Sequence, residues 1–192
     1  ALGWCIRQAL EGHEWKASEI AKYCHPAAPS RLVTWVESHD TYCNGHESAA
    51  LTDDQIRMGW VFITARQFGT PLFYSRPDGS SPQNTWGNNI VGKKGNDAFR
   101  HPEVVAVNMF RKAMHGQPES VTYTNDGQAI MVTRGKKGAA IINISHKPQV
   151  VNLRTSLRNG KYKDKVHQDT FFVSRGMLRG TLAPLTSYIL YR

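Results

Sequence analysis

The sequence predicts a mixed chain, an α/β segment followed by an all-β segment. Three observations carry this. Residues 32–37 form a short, mostly apolar run rich in β-branched and aromatic residues, which suits a buried strand, and residues 71–75 read as a second strand. Between them apolar residues recur at helical spacing; such a strand–helix–strand unit is almost always right-handed, with its strands parallel. From Val121 the period changes from helical to alternating, and short strands separated by Gly-based turns imply an antiparallel sandwich.

Each element has its own signal. Residues 3–11 read as a short helix stopped by Gly12, and residues 18–23 as another, broken by Pro26 and Pro29. The strand at 32–37 ends abruptly in Glu37, Ser38, His39 and Asp40, and residues 43–47 read as a loop. A His-Asp pair offered to a loop at the carboxyl end of a buried strand is a common placement for catalytic groups in an α/β barrel; the plainer alternative is a strand end with solvated charges. Thr52 and Gln55 have capping-box spacing. Ile56, Trp60, Ile63 and Gln67, widened by Met58, Val61, Phe62 and Ala65, predict a largely buried helix over 53–67 that Gly69 ends. Residues 76–95, rich in Gly, Asn, Ser and Pro, are too long for a plain connector. Pro102 opens a helix that Gly116 closes, and Gln117 and Pro118 form a linker. Strands are expected at 121–124, 128–134, 138–145, 149–154, 170–174, 177–182 and 185–191, with turns at 125–127, 135–138, 158–161 and 175–176.

Composition narrows the function classes. A chain of 192 residues holds one large domain or two small ones. No apolar run is long enough to span a membrane, and the first residues lack the basic start, apolar core and cleavage site of a signal peptide. Residues 1–99 carry nine Lys/Arg against ten Asp/Glu, residues 100–192 fifteen against five. A basic β-domain raises nucleic acid as a partner, but the cations sit largely at turns, as in residues 134–138, and do not alternate with aromatics as a stacking platform would. A solvated basic face is the reading preferred. Cys5, Cys24 and Cys43 allow at most one disulfide and leave the redox compartment open.

Residues 35–40, Trp-Val-Glu-Ser-His-Asp, resemble the fourth sequence motif of the α-amylase family of glycoside hydrolases, at the end of the seventh barrel strand. Residues 69–79 resemble the eighth strand and the loop beyond it. The order that follows, helix, short linker and β tail, is similar to the barrel's last helix and the C-terminal β-domain. The resemblance is closest to secreted bacterial α-amylases of the Bacillus subtilis type and covers nearly the whole chain. It implies the C-terminal part of a (β/α)8 TIM barrel over residues 1–119 and an antiparallel, Greek-key β-sandwich over 120–192. It implies that Asp40 is the carboxylate that holds sugar hydroxyls and stabilises the positive charge of the transition state, and that His39 hydrogen-bonds the same sugar. Asn44 matches a polar loop position that reaches substrate. For a secreted family, the absence of a leader suggests that the true N-terminus lies elsewhere.

The resemblance further implies retaining endo-hydrolysis of α-1,4-glucosidic bonds in starch, glycogen or maltooligosaccharides by the complete enzyme, an extracellular location and a monomer, with no nucleic-acid or membrane partner. Retaining hydrolysis needs a nucleophile and an acid/base. The family carries both before this motif, and nothing in residues 1–30 matches either. Glu37 and Asp40 cannot substitute, because three residues along a strand span about 10 Å and face opposite sides. No cofactor is expected here, the family's calcium site belonging to an upstream domain. The alternative is a non-catalytic fragment or carbohydrate-binding remnant. His39, Cys43 and His46, with Asp40 as a fourth ligand, offer a rival zinc site, although structural zinc commonly uses paired cysteines. Trp60, Phe62, Phe68 and Phe73 fall on helical or strand periods and are expected in the core. Trp86, among polar neighbours, could either stack on a sugar or fold under its own loop.

Overall fold

The computed structural model describes residues 2–16, 20–23, 25–88, 90 and 92–192. Helix α1 (Leu2–Leu10) leads to a short strand β1 (Val33–Thr34), helix α2 (Asp53–Ala65), strand β2 (Thr70–Pro71) and helix α3 (Pro102–Ala113). The all-β part follows: β3 (Glu119–Tyr123), β4 (Ala129–Arg134), β5 (Gly138–Asn143), β6 (Gln149–Arg154), β7 (Gly160–Lys163), β8 (Thr170–Ser174), β9 (Met177–Leu182) and β10 (Thr186–Tyr191). The helix expected over 18–23 falls partly on Ser18 and Glu19, which with Cys24 lie outside the described residues. No helix among the described residues is long and apolar enough to cross a membrane.

The strand–helix–strand unit is present, with shorter strands than the sequence suggests. β1 and β2 pair in parallel, Val33 opposite Thr70 and Thr34 opposite Pro71. Thr70 N–H donates to the Leu32 carbonyl and Leu72 N–H to the Thr34 carbonyl, both at 2.8 Å. The run at 32–37 is not buried on both sides as expected. Thr34 and Val36 point inward, whereas Val33 and Trp35 remain exposed. Pro71 has no N–H to give to a further partner strand. Between the strands, Thr52 and Gln55 form the full reciprocal capping box at the start of α2. The helix ends at Ala65, two residues earlier than the periodicity suggests, because Arg66 turns extended at its C-cap. Phe68 therefore falls off the helical face and is exposed, while Phe62 and Trp60 are core and Phe73 packs against it.

Two four-stranded antiparallel sheets form the rest, in the orders β10-β5-β4-β3 and β6-β9-β8-β7. Their facing sides share one cluster, in which Met131, Ile141 and Leu190 meet Leu153, Phe171, Val173 and Leu178. The other side of the first sheet, through Ile130, Val132, Ala140, Ile142 and Ile189, packs into the cluster that holds Phe62 of α2 and Val107 and Phe110 of α3. The first sheet is thus the middle of three layers. That is why β4 and β5 are buried at every position and show none of the alternation expected of a sandwich with one solvated face. The second sheet has such a face, and β6 and β8 alternate. β7 begins on Gly160 and Lys161, read from sequence as the end of a turn; of its four residues only Tyr162 is buried, so its pattern is too short to register.

Arg134 also departs from its sequence reading as a solvated turn cation. It is buried at 2% exposure. Its guanidinium reaches the carbonyls of Ala65, Arg66, Met114 and Gln117, joining β4 to the carboxyl ends of α2 and α3. Those ends present unpaired carbonyls and the negative pole of each helix, so a cation fits there. Arg66 works from the other side. It pairs with Glu119 at 2.9 Å and donates to the carbonyls of Ile20 and Ala21. The junction between the α/β part and the β part is therefore cored by arginines.

Candidate active site

The residues after β1 build the candidate site. Ser38 folds the chain back: its N–H donates to Thr41 Oγ1 at 2.8 Å, and its carbonyl accepts from Tyr42 N–H at 2.9 Å. A five-residue π-helical turn, Asp40–Asn44, follows, closed by Gly45 N–H donating to the Asp40 carbonyl at 2.6 Å. Asp40 is therefore on a wide turn rather than at the end of an extended strand. The turn places its side chain in solvent, at 70% side-chain exposure. Asn44 Nδ2 donates to Asp40 Oδ1 at 2.9 Å, and His39 Nε2 lies 3.4 Å from the same oxygen. The other carboxylate oxygen accepts no hydrogen bond among the described residues. All three residues expected from the motif thus stand together on one exposed surface.

Beneath them is a buried ionic support that sequence reasoning did not identify. Glu37 is 3% exposed. Arg76 grips it as a fork, Nε to Oε1 and Nη2 to Oε2 both at 3.0 Å, and Ser48 Oγ donates to Oε2 at 2.9 Å. The Arg76 guanidinium also donates to the carbonyls of Ser48 and Leu51 and lies over the Tyr42 ring, 4.4 Å from its centre. Burial pushes the Glu37 carboxyl above the ordinary glutamate range, with Arg76 and Ser48 pulling against it. Arg7, on α1, donates to the Val36 carbonyl at 3.0 Å and to Glu47 at 2.7 Å. The signal for this support was the charge of Glu37 directly after an apolar run. Its partner lies 39 residues on, a separation that no local pattern encodes.

Cys43 faces inward. Its thiol lies 3.3 Å from the Tyr74 hydroxyl and donates to the Thr85 carbonyl at 3.4 Å. Burial and the neighbouring Cys43 push the Tyr74 phenol well above its ordinary value. Cys43 is therefore turned away from the exposed His39 and His46, which corrects the rival zinc arrangement. Among the described residues no group of three or more His, Cys, Asp or Glu side chains is placed to hold a metal ion. Trp86, in the loop after β2, is 45% exposed and lines a hollow of about 210 Å³.

This geometry offers one exposed carboxylate, a neighbouring imidazole and an amide. Glu37, the nearest other carboxylate in sequence, is locked in its pair with Arg76. An isolated fixed anion can hold hydroxyl groups and stabilise developing positive charge, but it is not the pair of carboxyl groups that retaining hydrolysis uses.

Comparison with known proteins places the chain beside alpha-amylases. No family model matches the chain. The chain is 39% identical over 198 aligned residues to an alpha-amylase of Butyrivibrio fibrisolvens, covering 94% of this chain and 20% of that protein. It is 33% identical over 163 residues to an alpha-amylase of Clostridium acetobutylicum, covering 84% of this chain and 20% of that protein. Among solved structures, wild-type alpha-amylase I of Eisenia fetida superposes with a TM-score of 0.72 at 14% identity, over 100% of this chain and 48% of that one. The Geobacillus thermoleovorans alpha-amylase complexed with acarbose gives 0.63 at 16% identity, over 98% and 46%. These two show a shared fold. Homologues named alpha-amylase thus cover the chain almost end to end, which supports an alpha-amylase-family segment. The chain spans about one fifth of the length of the curated relatives it matches.

Proposed function

We propose that the chain is the C-terminal segment of an α-amylase of the secreted Bacillus subtilis type, extracellular and monomeric when complete. In this reading residues 1–119 are the last part of a (β/α)8 barrel, with the parallel β1–β2 pair as its seventh and eighth strands. Residues 120–192 are the C-terminal β-sandwich, and the order β6-β9-β8-β7 supports a Greek-key path. The complete enzyme hydrolyses internal α-1,4-glucosidic bonds of starch, glycogen or maltooligosaccharides with retention. Neither nucleic acid nor membrane is a partner. No cofactor belongs to this segment, and any calcium sits in upstream residues.

The observation that carries the reading is the convergence of His39, Asp40 and Asn44 on one exposed turn after a parallel strand. Asp40 is the transition-state carboxylate. Asn44 and His39 both address its Oδ1, which fixes the group's orientation and leaves Oδ2 toward the sugar hydroxyls. As the glycosidic bond breaks, positive charge spreads over the ring carbon and oxygen, and a preoriented anion stabilises that charge more than it stabilises the neutral ground state. His39 and Asn44 bind the same sugar. The nucleophile and the acid/base come from residues upstream of Ala1.

The alternative, a non-catalytic fragment or carbohydrate-binding remnant, is favoured by the locked state of Glu37, which leaves Asp40 without a second reactive carboxylate. A hydrolysis assay tests both. The chain alone gives no detectable release of reducing ends from starch, while the same residues within the complete protein do, and Asp40→Asn there abolishes the activity. Turnover by the isolated chain that Asp40→Asn removes refutes the division of labour.

A further inference from the structure

We propose that a basic hollow beside the β4–β5 turn binds a compact oligophosphate anion. The hollow has a volume of about 370 Å³ and is lined by Lys136, Lys137, Arg158 and Arg192, with Met114 and Tyr162 behind them. It shares no residue with the Asp40 turn. The four cations come from three separate stretches of chain, and specific contacts gather them. Arg158 N–H donates to the Lys136 carbonyl at 3.4 Å, and Ser156 Oγ to the Gly135 carbonyl at 2.5 Å, so the β6–β7 loop is tied to the turn that carries both lysines. The Tyr162 hydroxyl donates to the Arg158 carbonyl at 3.0 Å. The Arg192 guanidinium lies over the same tyrosine ring, 4.3 Å from its centre, and its Nη2 donates to the Lys161 carbonyl at 2.9 Å. A Cβ on Gly160 would collide with that nitrogen, and the φ of +134° there also favours glycine. Nε and Nη1 of Arg192 donate to nothing among the described residues.

No carboxylate lines this hollow. The five carboxylates of residues 100–192 are all engaged elsewhere. Glu103 and Glu119 pair with Arg57 and Arg66. Asp126 accepts from Gln128 N–H, and Asp164 from the N–H groups of Val166 and Ile189. Asp169 lines a different hollow with Arg179. Nor are the cations needed at the neighbouring end of α3, where the Met114 carbonyl already accepts from Arg134. Four like charges gathered without a counter-charge repel one another, and a bound anion relieves that repulsion. Phosphate suits the site better than carboxylate. Its tetrahedral oxygens accept from several directions, whereas a carboxylate presents two oxygens in one plane. One phosphate group carries about −1.5 to −2 at neutral pH, so four cations roughly match two linked groups. The cations converge on one hollow rather than along a stripe, which fits a compact anion better than a nucleic-acid strand.

The test titrates the full 15N-labelled chain with pyrophosphate at constant ionic strength. The amides of residues 135–137, 158 and 161 are expected to shift together and saturably. Arg192→Gln should weaken binding about tenfold, as loss of a charged hydrogen-bond donor does. Lys136→Gln combined with Lys137→Gln should do at least the same, and it changes only an exposed turn, so it keeps the test available if Arg192→Gln disturbs Tyr162. The charge-matched control, Lys147→Gln with Arg179→Gln, leaves the lining intact and should keep the affinity within about twofold. Equal weakening by the control, or shifts that grow linearly across all basic residues, would mean diffuse ion screening and overturn the site. Malonate binding as tightly as pyrophosphate would overturn the phosphate class. A single-stranded oligonucleotide that moves the same amides at a lower phosphate concentration would overturn the compact anion in favour of a nucleic-acid surface.

Discussion

Replacing Arg134 by Met tests whether the helical part and the sandwich are one cooperative unit. Arg134 is a β4 residue whose side-chain hydrogen bonds go to the helical side and the linker: Ala65 and Arg66 at the end of α2, Met114 at the end of α3, and Gln117, at 2.9 to 3.0 Å. Met keeps most of the stem volume and removes the fork. Four carbonyls then lose a charged donor, three of them at buried bonds. A hydrogen bond from a charged group is worth about 1.5–3 kcal/mol. Part of that is returned, because the guanidinium no longer has to be desolvated, so the expected loss is about 3–5 kcal/mol. With a urea slope of about 2 kcal/mol per molar, the midpoint should fall by roughly 1.5–2.5 M. All five tryptophans, Trp4, Trp15, Trp35, Trp60 and Trp86, precede the sandwich, so their fluorescence follows the helical part while far-UV circular dichroism follows mainly the sheets. The two transitions should coincide in the wild type and move together in Arg134→Met. A midpoint shift below about 0.5 M, or two separate transitions in the wild type, would refute the argument that this side chain welds the layers.

The remaining predictions concern the support of the site, its pH response and its packing. Arg76→Met leaves the Glu37 carboxylate buried without its cation and should cost about 3–5 kcal/mol, whereas Glu37→Gln combined with Arg76→Met should recover part of that; equal losses in chemical denaturation would argue against the pair as the cause. Glu103, buried at the start of α3 beside Arg57 and His167, has its carboxyl raised above 4.5, chiefly by burial. The folded state then holds this proton more tightly than the unfolded one, so stability falls as pH rises from 4.5 to the raised value and is level above it. Glu103→Gln should flatten that slope in denaturation series at stepped pH, and an unchanged slope would refute the assignment. Gly59 sits in α2 where a Cβ would lie 2.8 and 2.9 Å from the two methyls of Val36. Despite Ala's better helix propensity, Gly59→Ala should destabilise by about 1–2 kcal/mol, read as a lower Tm, and a rise in Tm would show that Val36 moves aside at no cost.

Local signals in this chain were reliable where the physics is local. Thr52 and Gln55 form the capping box because both partners lie within one helical turn. The start of α3 follows from Pro102, and every strand of the sandwich except β7 was visible as an apolar run bounded by turn residues. His39, Asp40 and Asn44 were singled out through the resemblance of residues 35–40 and the following loop to a family motif, which a contiguous stretch can carry. The Glu37–Arg76 fork and the Arg134 junction were not, because their partners are brought together only by folding. Arg134, next to Gly135, Lys136 and Lys137, has the sequence context of a solvated turn, and only the packing of two helix ends onto β4 makes it a core residue.

The sequence by itself therefore determined the order of most elements and the helix boundaries to within a few residues, since short-range periodicity, capping and turn chemistry depend on neighbours along the chain. The tertiary structure alone decided the three-layer arrangement. It buried both faces of β4 and β5, opened the 38–44 segment into a π-helical turn that aims Asp40 at solvent, and placed Arg76 and Arg134 in the interior. Those outcomes depend on which surfaces meet and which charges lose their water, and both are set by contacts between residues far apart in the chain.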